Sequence, residues 1–91
     1  MMEENGIKPG LVVFSKAGRD SGRYYCILTV VDPDYVLIAD GERHKIDRPK
    51  RKKLKHLKPT KDILALGSKL EQGVKVFDSE LKSALRAYNE N

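Results

Sequence analysis

The sequence predicts a mainly β protein, in which a small antiparallel β-barrel is followed by a C-terminal two-helix tail. Three observations lead to this fold class. Short runs dense in β-branched and aromatic residues fill the first half of the chain, tight-turn signals separate them, and helical periodicity begins only after residue 60. Because no helical segment separates the strands, a barrel or meander is favoured over a parallel βαβ arrangement.

The strands follow from these runs and from the turns between them. We predict four extended segments, over 11–14, 23–31, 35–39 and 43–47. Asp40-Gly41 is a hairpin signal, and it is the reason for placing the fourth segment immediately after it. In the second segment, alternation with Leu28 directed inward places Tyr25 on the outer face.

Residues 48–61 are predicted to be extended or to form a loop. Pro49 and Pro59 stand near their two ends and disfavour one continuous helix. Leu54 and Leu57 lie between the prolines, and they can anchor this stretch to the barrel as a last short strand.

The tail reads as two short amphipathic helices. The first is predicted over about 61–71, with Thr60 as its N-cap and Gly73 as its stop signal. The second is predicted over about 79–89, with an apolar face that includes Leu81, Leu85 and Tyr88. The chain is therefore divided into a barrel with its basic residues, 1–59, and a helical tail, 60–91.

Positive charge is concentrated in one part of the chain, residues 42–61, which we call the basic segment. The whole chain has 18 basic and 13 acidic residues, a net charge of +5. The basic segment holds ten of the basic residues and two of the acidic ones, a net +8, so the remainder carries −3. Such an asymmetry is typical of proteins that bind a polyanion.

Several classes of protein are disfavoured because their residues are missing. His44 and His56 have no neighbouring nucleophile that would indicate a catalytic triad, and with one cysteine they do not give the spacing of a zinc site. We therefore expect that the protein is not an enzyme and that it binds no metal ion and no cofactor. We predict a cytoplasmic protein without a membrane partner, for three reasons. Cys26 is the only cysteine, the acidic N-terminus is unlike a signal peptide, and no apolar run reaches roughly the 18 residues of a membrane span.

The residues expected to bind RNA are cations and glycines of two stretches. One is the loop from Lys16 to Arg23, which we call the first loop, and the other is the basic segment. These residues are Lys16, Gly18, Arg19, Gly22, Arg23, Arg43, Lys45, Arg48, Lys50, Arg51, Lys52, Lys53, Lys55 and Lys58. The cations neutralise phosphates, and the glycines let the backbone approach a phosphate closely. Tyr24, Tyr25 and Tyr35 are candidates for stacking on unpaired bases, with no choice among them from sequence.

A resemblance to a known family accompanies this reading. Pro9-Gly10-Leu11-Val12-Val13, the loop from Gly18 to Gly22, the run Ile27–Val31 and the closing Val36–Gly41 together resemble the KOW motif. Within that group, residues 8–60 are similar to a ribosomal protein branch of eukaryotes and archaea with shorter bacterial relatives. The resemblance implies an SH3-like β-barrel of about five strands and RNA binding through the glycine-containing loop.

The expected function is that of a non-enzymatic RNA-binding protein, ribosomal or ribosome-associated, with ribosomal RNA as its partner. The alternative is a protein-interaction module that binds a ribosomal protein or a transcription or translation factor. The apolar stripe of the second predicted helix favours this alternative, because the stripe must cover something.

Overall fold

The computed structural model describes residues 6–90, so the first five residues of the acidic N-terminus, and with them the prediction made from it, lie outside that range. Five strands are followed by two helices: β1 (Leu11–Ser15), β2 (Tyr24–Val30), β3 (Tyr35–Ala39), β4 (Lys50–Lys53), β5 (Leu57–Ile63), α1 (Gly67–Gln72) and α2 (Asp78–Asn89). A single 3-10 turn, Leu54–His56, joins β4 to β5. The prediction of a mainly β fold with two C-terminal helices is confirmed.

All strand pairs of the sheet are antiparallel. The strands lie in the order β4-β3-β2-β1-β5, so the first four form a meander and β5 returns to pair with β1. Over the described residues the sheet is open, with β4 and β5 as its two edges. The last short strand expected around Leu54 and Leu57 is present as β5, which begins at Leu57, whereas Leu54 lies in the 3-10 turn before it. Leu57 is buried against the sheet.

Both faces of the sheet are covered by apolar side chains. On one face α1 and α2 pack against a core that includes Val12, Cys26 and Leu85. On the other face lies a second core that includes Tyr25 and Ile38. The prediction that Tyr25 faces outward is wrong: its ring is fully buried, because the strand has no solvent-facing side at this position.

The expected fourth strand at 43–47 is not formed. The Asp40 carboxylate accepts hydrogen bonds from the backbone N–H groups of Glu42 and His44, both at 3.0 Å, and so holds this stretch in a turn. The chain continues through further turns, and the fourth strand begins only at Lys50. The hairpin signal at Asp40-Gly41 marks a turn, but the turn leads into a longer connection.

The first helix also begins later than predicted. Thr60 lies inside β5, where its hydroxyl donates a 2.7 Å hydrogen bond to the Val12 carbonyl instead of capping a helix. Pairing with the open edge of β1 therefore takes precedence over a weak helical pattern. The stop signal is confirmed, since Gly73 adopts a left-handed conformation with φ 74° and its N–H donates to the Leu70 carbonyl.

Helix α2 is an integral part of the core. Its bounds agree with the prediction to within one residue, and Leu81 and Leu85 are buried against the sheet. Its first turn sits directly on the turn at Gly41, where an added Cβ would overlap the Asp78 carbonyl oxygen. The boundary predicted between 59 and 60 falls within β5, and sheet and helices share one core.

Candidate nucleic-acid interface

The basic segment presents almost all of its cations to solvent. Nine of its ten basic residues are exposed: Arg43, Lys45, Arg48, Lys50, Arg51, Lys53, Lys55, Lys58 and Lys61. Among the described residues 6–90, none of these nine has a carboxylate within 4.0 Å. Cations that are neither buried nor neutralised create a positive potential, and that potential attracts a polyanion over a distance of about a Debye length.

One aromatic ring lies among these cations. The Arg51 guanidinium stacks over the Tyr35 ring, 4.0 Å from its centroid, and the Lys53 Nζ lies 5.9 Å from the same centroid. Strand register explains the grouping, because Lys53 pairs with Tyr35 and Arg51 pairs with the next residue but one of β3, Leu37. Of the three tyrosines proposed for stacking, Tyr35 is the one that lies beside Arg51 and Lys53 of β4.

An open depression of about 320 Å³ adjoins the ring. It is lined by Asp34, Tyr35, Lys53, Leu54 and Lys55, at the point where β4 ends in the 3-10 turn. Two lysines at its edge and an aromatic wall are a suitable combination for a phosphate next to an unpaired base.

Lys52 differs from its neighbours in β4. It pairs with Val36, whose side chain lies in the second core, so its stem passes through the interior and only 8% of the residue is exposed. Its Nζ donates hydrogen bonds to the Ala17 carbonyl at 3.1 Å and to Asp20 at 3.4 Å. Of the candidate RNA-binding residues, Lys52 is thus the one whose ammonium is bound inside the protein.

The Asp20 carboxylate anchors the first loop from within. Its second oxygen lies 2.8 Å from the His44 Nε2, so the loop is tied to both β4 and the 40–48 connection. Burial by itself would raise the pKa of Asp20, but the hydrogen bonds and charges of His44 and Lys52 outweigh it. The pKa of Asp20 is therefore held below its ordinary value, and the carboxylate is ionised at neutral pH.

Two glycines shape the exposed side of the loop. Gly18 and Gly22 have φ values of 80° and 90°, which side chains with a Cβ rarely adopt. The Ser21 N–H donates to the Gly18 carbonyl, and the Gly22 N–H donates to the Ser15 carbonyl, so the turn is closed at both ends. Lys16 and Arg19 project from it as exposed cations.

Arg23 lies at the end of the loop and is already paired. Its guanidinium contacts the carboxylates of Asp40 at 3.3 Å and Glu42 at 3.8 Å, and the residue is half-buried. Through these two contacts Arg23 links the start of β2 to the 40–42 turn. Among the loop cations, Lys16 and Arg19 remain for a ligand.

The buried positions of the acidic residues Asp20 and Asp40 were not predicted from the sequence. Asp20 is a single carboxylate among the cations of the first loop, and this isolation is an available signal, since such an acid is easily held inside by an ion pair. For Asp40 the signal is its place before Gly41, where a carboxylate readily accepts hydrogen bonds from the backbone N–H groups of a turn.

Three further observations concern metal binding, thiol reactivity and membrane spanning. Over residues 6–90 no three His, Cys, Asp or Glu side chains are close enough to hold a metal ion. Burial raises the pKa of the Cys26 thiol to about 12, so this side chain is not a nucleophile at neutral pH. Within the same residues, no helix is long and apolar enough to cross a membrane.

A scan against models of known protein families finds none that matches this chain.

Proposed function

We propose that this protein is a non-enzymatic RNA-binding protein, ribosomal or ribosome-associated, that acts in the cytoplasm. Its barrel is of the SH3-like KOW type, and ribosomal RNA is its partner. The five antiparallel strands support this fold, because the resemblance of residues 8–60 to the KOW motif implies about that number.

The observation that carries the proposal is the set of nine exposed cations of the basic segment. They have no carboxylate partners among the described residues, whereas the cations elsewhere that pair with Asp or Glu include Lys69, Lys82 and Arg86. A solvated basic surface of no function would be expected to attract some of the eleven acids outside the segment. Charge that is kept unneutralised favours a polyanionic ligand, because binding then releases the counterions condensed on that ligand.

The interface combines two kinds of contact. Exposed lysines and arginines of β4 and β5 neutralise phosphates, and the first loop brings its backbone close to the RNA at Gly18 and Gly22. Arg51 offers a planar guanidinium that is already oriented by Tyr35, so little side-chain entropy is lost when it binds a phosphate. Recognition of this kind follows the shape of a folded RNA more than its base edges.

The experiment is a salt titration of RNA affinity with two charge-matched triple variants. Lys50, Arg51 and Lys53 are replaced by Gln in one variant, and Lys75, Lys82 and Arg86 in the other, so that both lose three exposed cations. Fluorescence anisotropy with a labelled RNA stem-loop should give the wild type a slope of log affinity against log salt of about −4 to −5, for about six phosphates neutralised.

The first variant should reduce the steepness of that slope by about two to three, and the second variant should leave it nearly unchanged. Equal effects of the two variants would show that only net charge matters and would contradict the proposed interface. Co-sedimentation with ribosomal subunits, tested with the same variants, separates a ribosomal role from RNA binding in general.

The protein-interaction module remains the second candidate, for a reason different from the expected one. The apolar stripe of α2 is satisfied within the chain, since Leu81 and Leu85 are buried on the sheet. However, Val74 and Phe77 are 48% and 58% exposed beside a cleft of the α1–α2 connection. If this candidate is correct, the double variant Val74→Ser/Phe77→Ser should abolish co-sedimentation with ribosomal subunits. The variant with Gln at Lys50, Arg51 and Lys53 should not abolish it.

Deletion of α2 is not a usable test for either function. Removal of residues 78–91 would expose the core that the helix covers, so a loss of binding would not distinguish a lost interface from a loss of stability. Substitutions of exposed side chains are therefore used throughout.

A further inference from the structure

Away from Tyr35 and the β4 cations beside it, three aromatic rings form a row at the margin of α2. Tyr24 lies in the middle, with its ring centroid 5.0 Å from that of Phe14 and 5.5 Å from that of Tyr88. The ring planes are tilted by 59° and 46°, which is a favourable arrangement for aromatic pairs. All three side chains are only half-buried, so the row is open to solvent along one side.

The middle of the row is held firmly in place. The Asn89 side chain forms two hydrogen bonds to the Tyr24 backbone, accepting from its N–H at 2.9 Å and donating to its carbonyl at 3.1 Å. The Tyr88 hydroxyl donates to the Asp62 carboxylate at 2.6 Å, which fixes the outer ring to β5. A rigid aromatic surface loses little entropy when a flat ligand stacks on it.

Two lysines line an open groove along this surface. The groove has a volume of about 490 Å³ and is lined by Phe14, Lys16, Tyr24, Lys58, Pro59 and Thr60. Strand register places Lys58 directly opposite Phe14, and Phe14 directly opposite Tyr24, so ring and cation lie in one row across three strands. None of the lining residues is acidic.

We propose that this groove binds an unpaired base of single-stranded RNA, stacked on Phe14 and Tyr24, with Lys16 and Lys58 on the flanking phosphates. The inference rests on the proposed function, because it specifies which part of an RNA the protein holds. Charge complementarity carries the choice of occupant: aromatic rings that share a groove with two lysines match a base and the phosphates next to it. The groove is also continuous with the basic segment, since Lys58 belongs to both.

A proline-rich peptide is the competing occupant of an aromatic groove. Such a peptide gains nothing from two uncompensated lysines, and the one carboxylate near the row, Asp62, is engaged by Tyr88. We therefore favour RNA, and the peptide becomes an outcome of the test.

The test compares a single-stranded probe, decauridine, with a ten-base-pair RNA duplex. The bases of the duplex are paired and stacked on one another, so they are not free to stack on the protein. Phe14→Leu should weaken decauridine binding about five- to hundredfold, the range that loss of one stacking contact produces, and leave duplex affinity within about twofold. Phe14→Tyr keeps an aromatic ring and should retain wild-type affinity for both probes. Equal weakening of both probes by Phe14→Leu, or of neither, would overturn the inference.

A second readout does not depend on a variant that must fold. In NMR spectra of the wild-type protein, the ring resonances of Phe14 and Tyr24 should shift on addition of decauridine. Unshifted rings, or rings that respond to decaproline and not to decauridine, would refute RNA binding in this groove.

The two proposals fail in different ways. Duplex binding with a steep salt slope, together with an inert groove, would remove this inference and leave the proposed function intact. Absence of binding to either RNA would remove the proposed function, and the groove inference with it.

Discussion

Replacement of Lys52 by Met should destabilise the protein, although the same change at the adjacent Arg51 should not. Met keeps the buried stem of Lys52 and removes its ammonium group, so the Ala17 carbonyl and the Asp20 carboxylate each lose a donor. Arg51 is exposed, and its replacement removes only a solvated charge and a stacking contact with Tyr35.

The size of the effect follows from burial. The side chains of Lys52 and Asp20 are 9% and 11% exposed, so this pair is worth more than the roughly 0–1 kcal/mol of a surface ion pair. Asp20 nevertheless keeps its contact with His44, so the loss stays below the roughly 3–5 kcal/mol that an orphaned buried charge costs. We expect Lys52→Met to lower the free energy of unfolding by about 1–3 kcal/mol, and Arg51→Met by less than about 1 kcal/mol.

Thermal and urea unfolding followed by circular dichroism measure both variants under the same conditions. For a domain of this size, each kcal/mol lowers the melting temperature by roughly 4–8 °C. A melting temperature of Lys52→Met equal to that of the wild type, or an equal destabilisation by Arg51→Met, would contradict the interior position of Lys52. In either case the two neighbours would have the same environment, and the separation of one interior lysine from nine surface cations would be wrong.

Two further predictions concern the loop anchor and the helices. His44 and Lys52 lower the pKa of Asp20 from its ordinary value of 3.8. The ion pairs of Asp20 therefore stabilise the fold fully at pH values above 3.8, and this stabilisation is lost as the pH falls through the lower pKa of the folded state. Urea unfolding at pH 7 and at pH 3 should therefore show a smaller loss of stability on acidification for Asp20→Asn than for the wild type, and an equal loss would contradict the anchor. Leu85→Ala should lower the free energy of unfolding by about 2–5 kcal/mol in a single transition, because the side chain is fully buried against the sheet; an unchanged transition for the sheet would show that the helices fold separately.

Local signals in the sequence were sufficient where an element depends on its own neighbours. The third strand occupies the predicted residues, α2 begins one residue earlier than predicted, and Gly73 ends α1 as expected. Each of these depends on periodicity or on a backbone conformation within a few residues. The segment at 43–47 and the start of α1 could not be predicted in this way, because Asp40 and the edge of β1 decide them.

The candidate site divides along the same line. Sequence by itself determined that the positive charge lies in residues 42–61 and that a glycine-containing loop precedes β2, since both are properties of composition and local order. Three facts became clear only from the tertiary structure: Lys52 points inward, Tyr25 is in the core, and Tyr35 lies among the cations. The physical reason is that burial and ion pairing depend on groups far away in the chain. Asp20 is 32 residues from Lys52, and both faces of β2 are covered by segments that the sequence of β2 does not reveal.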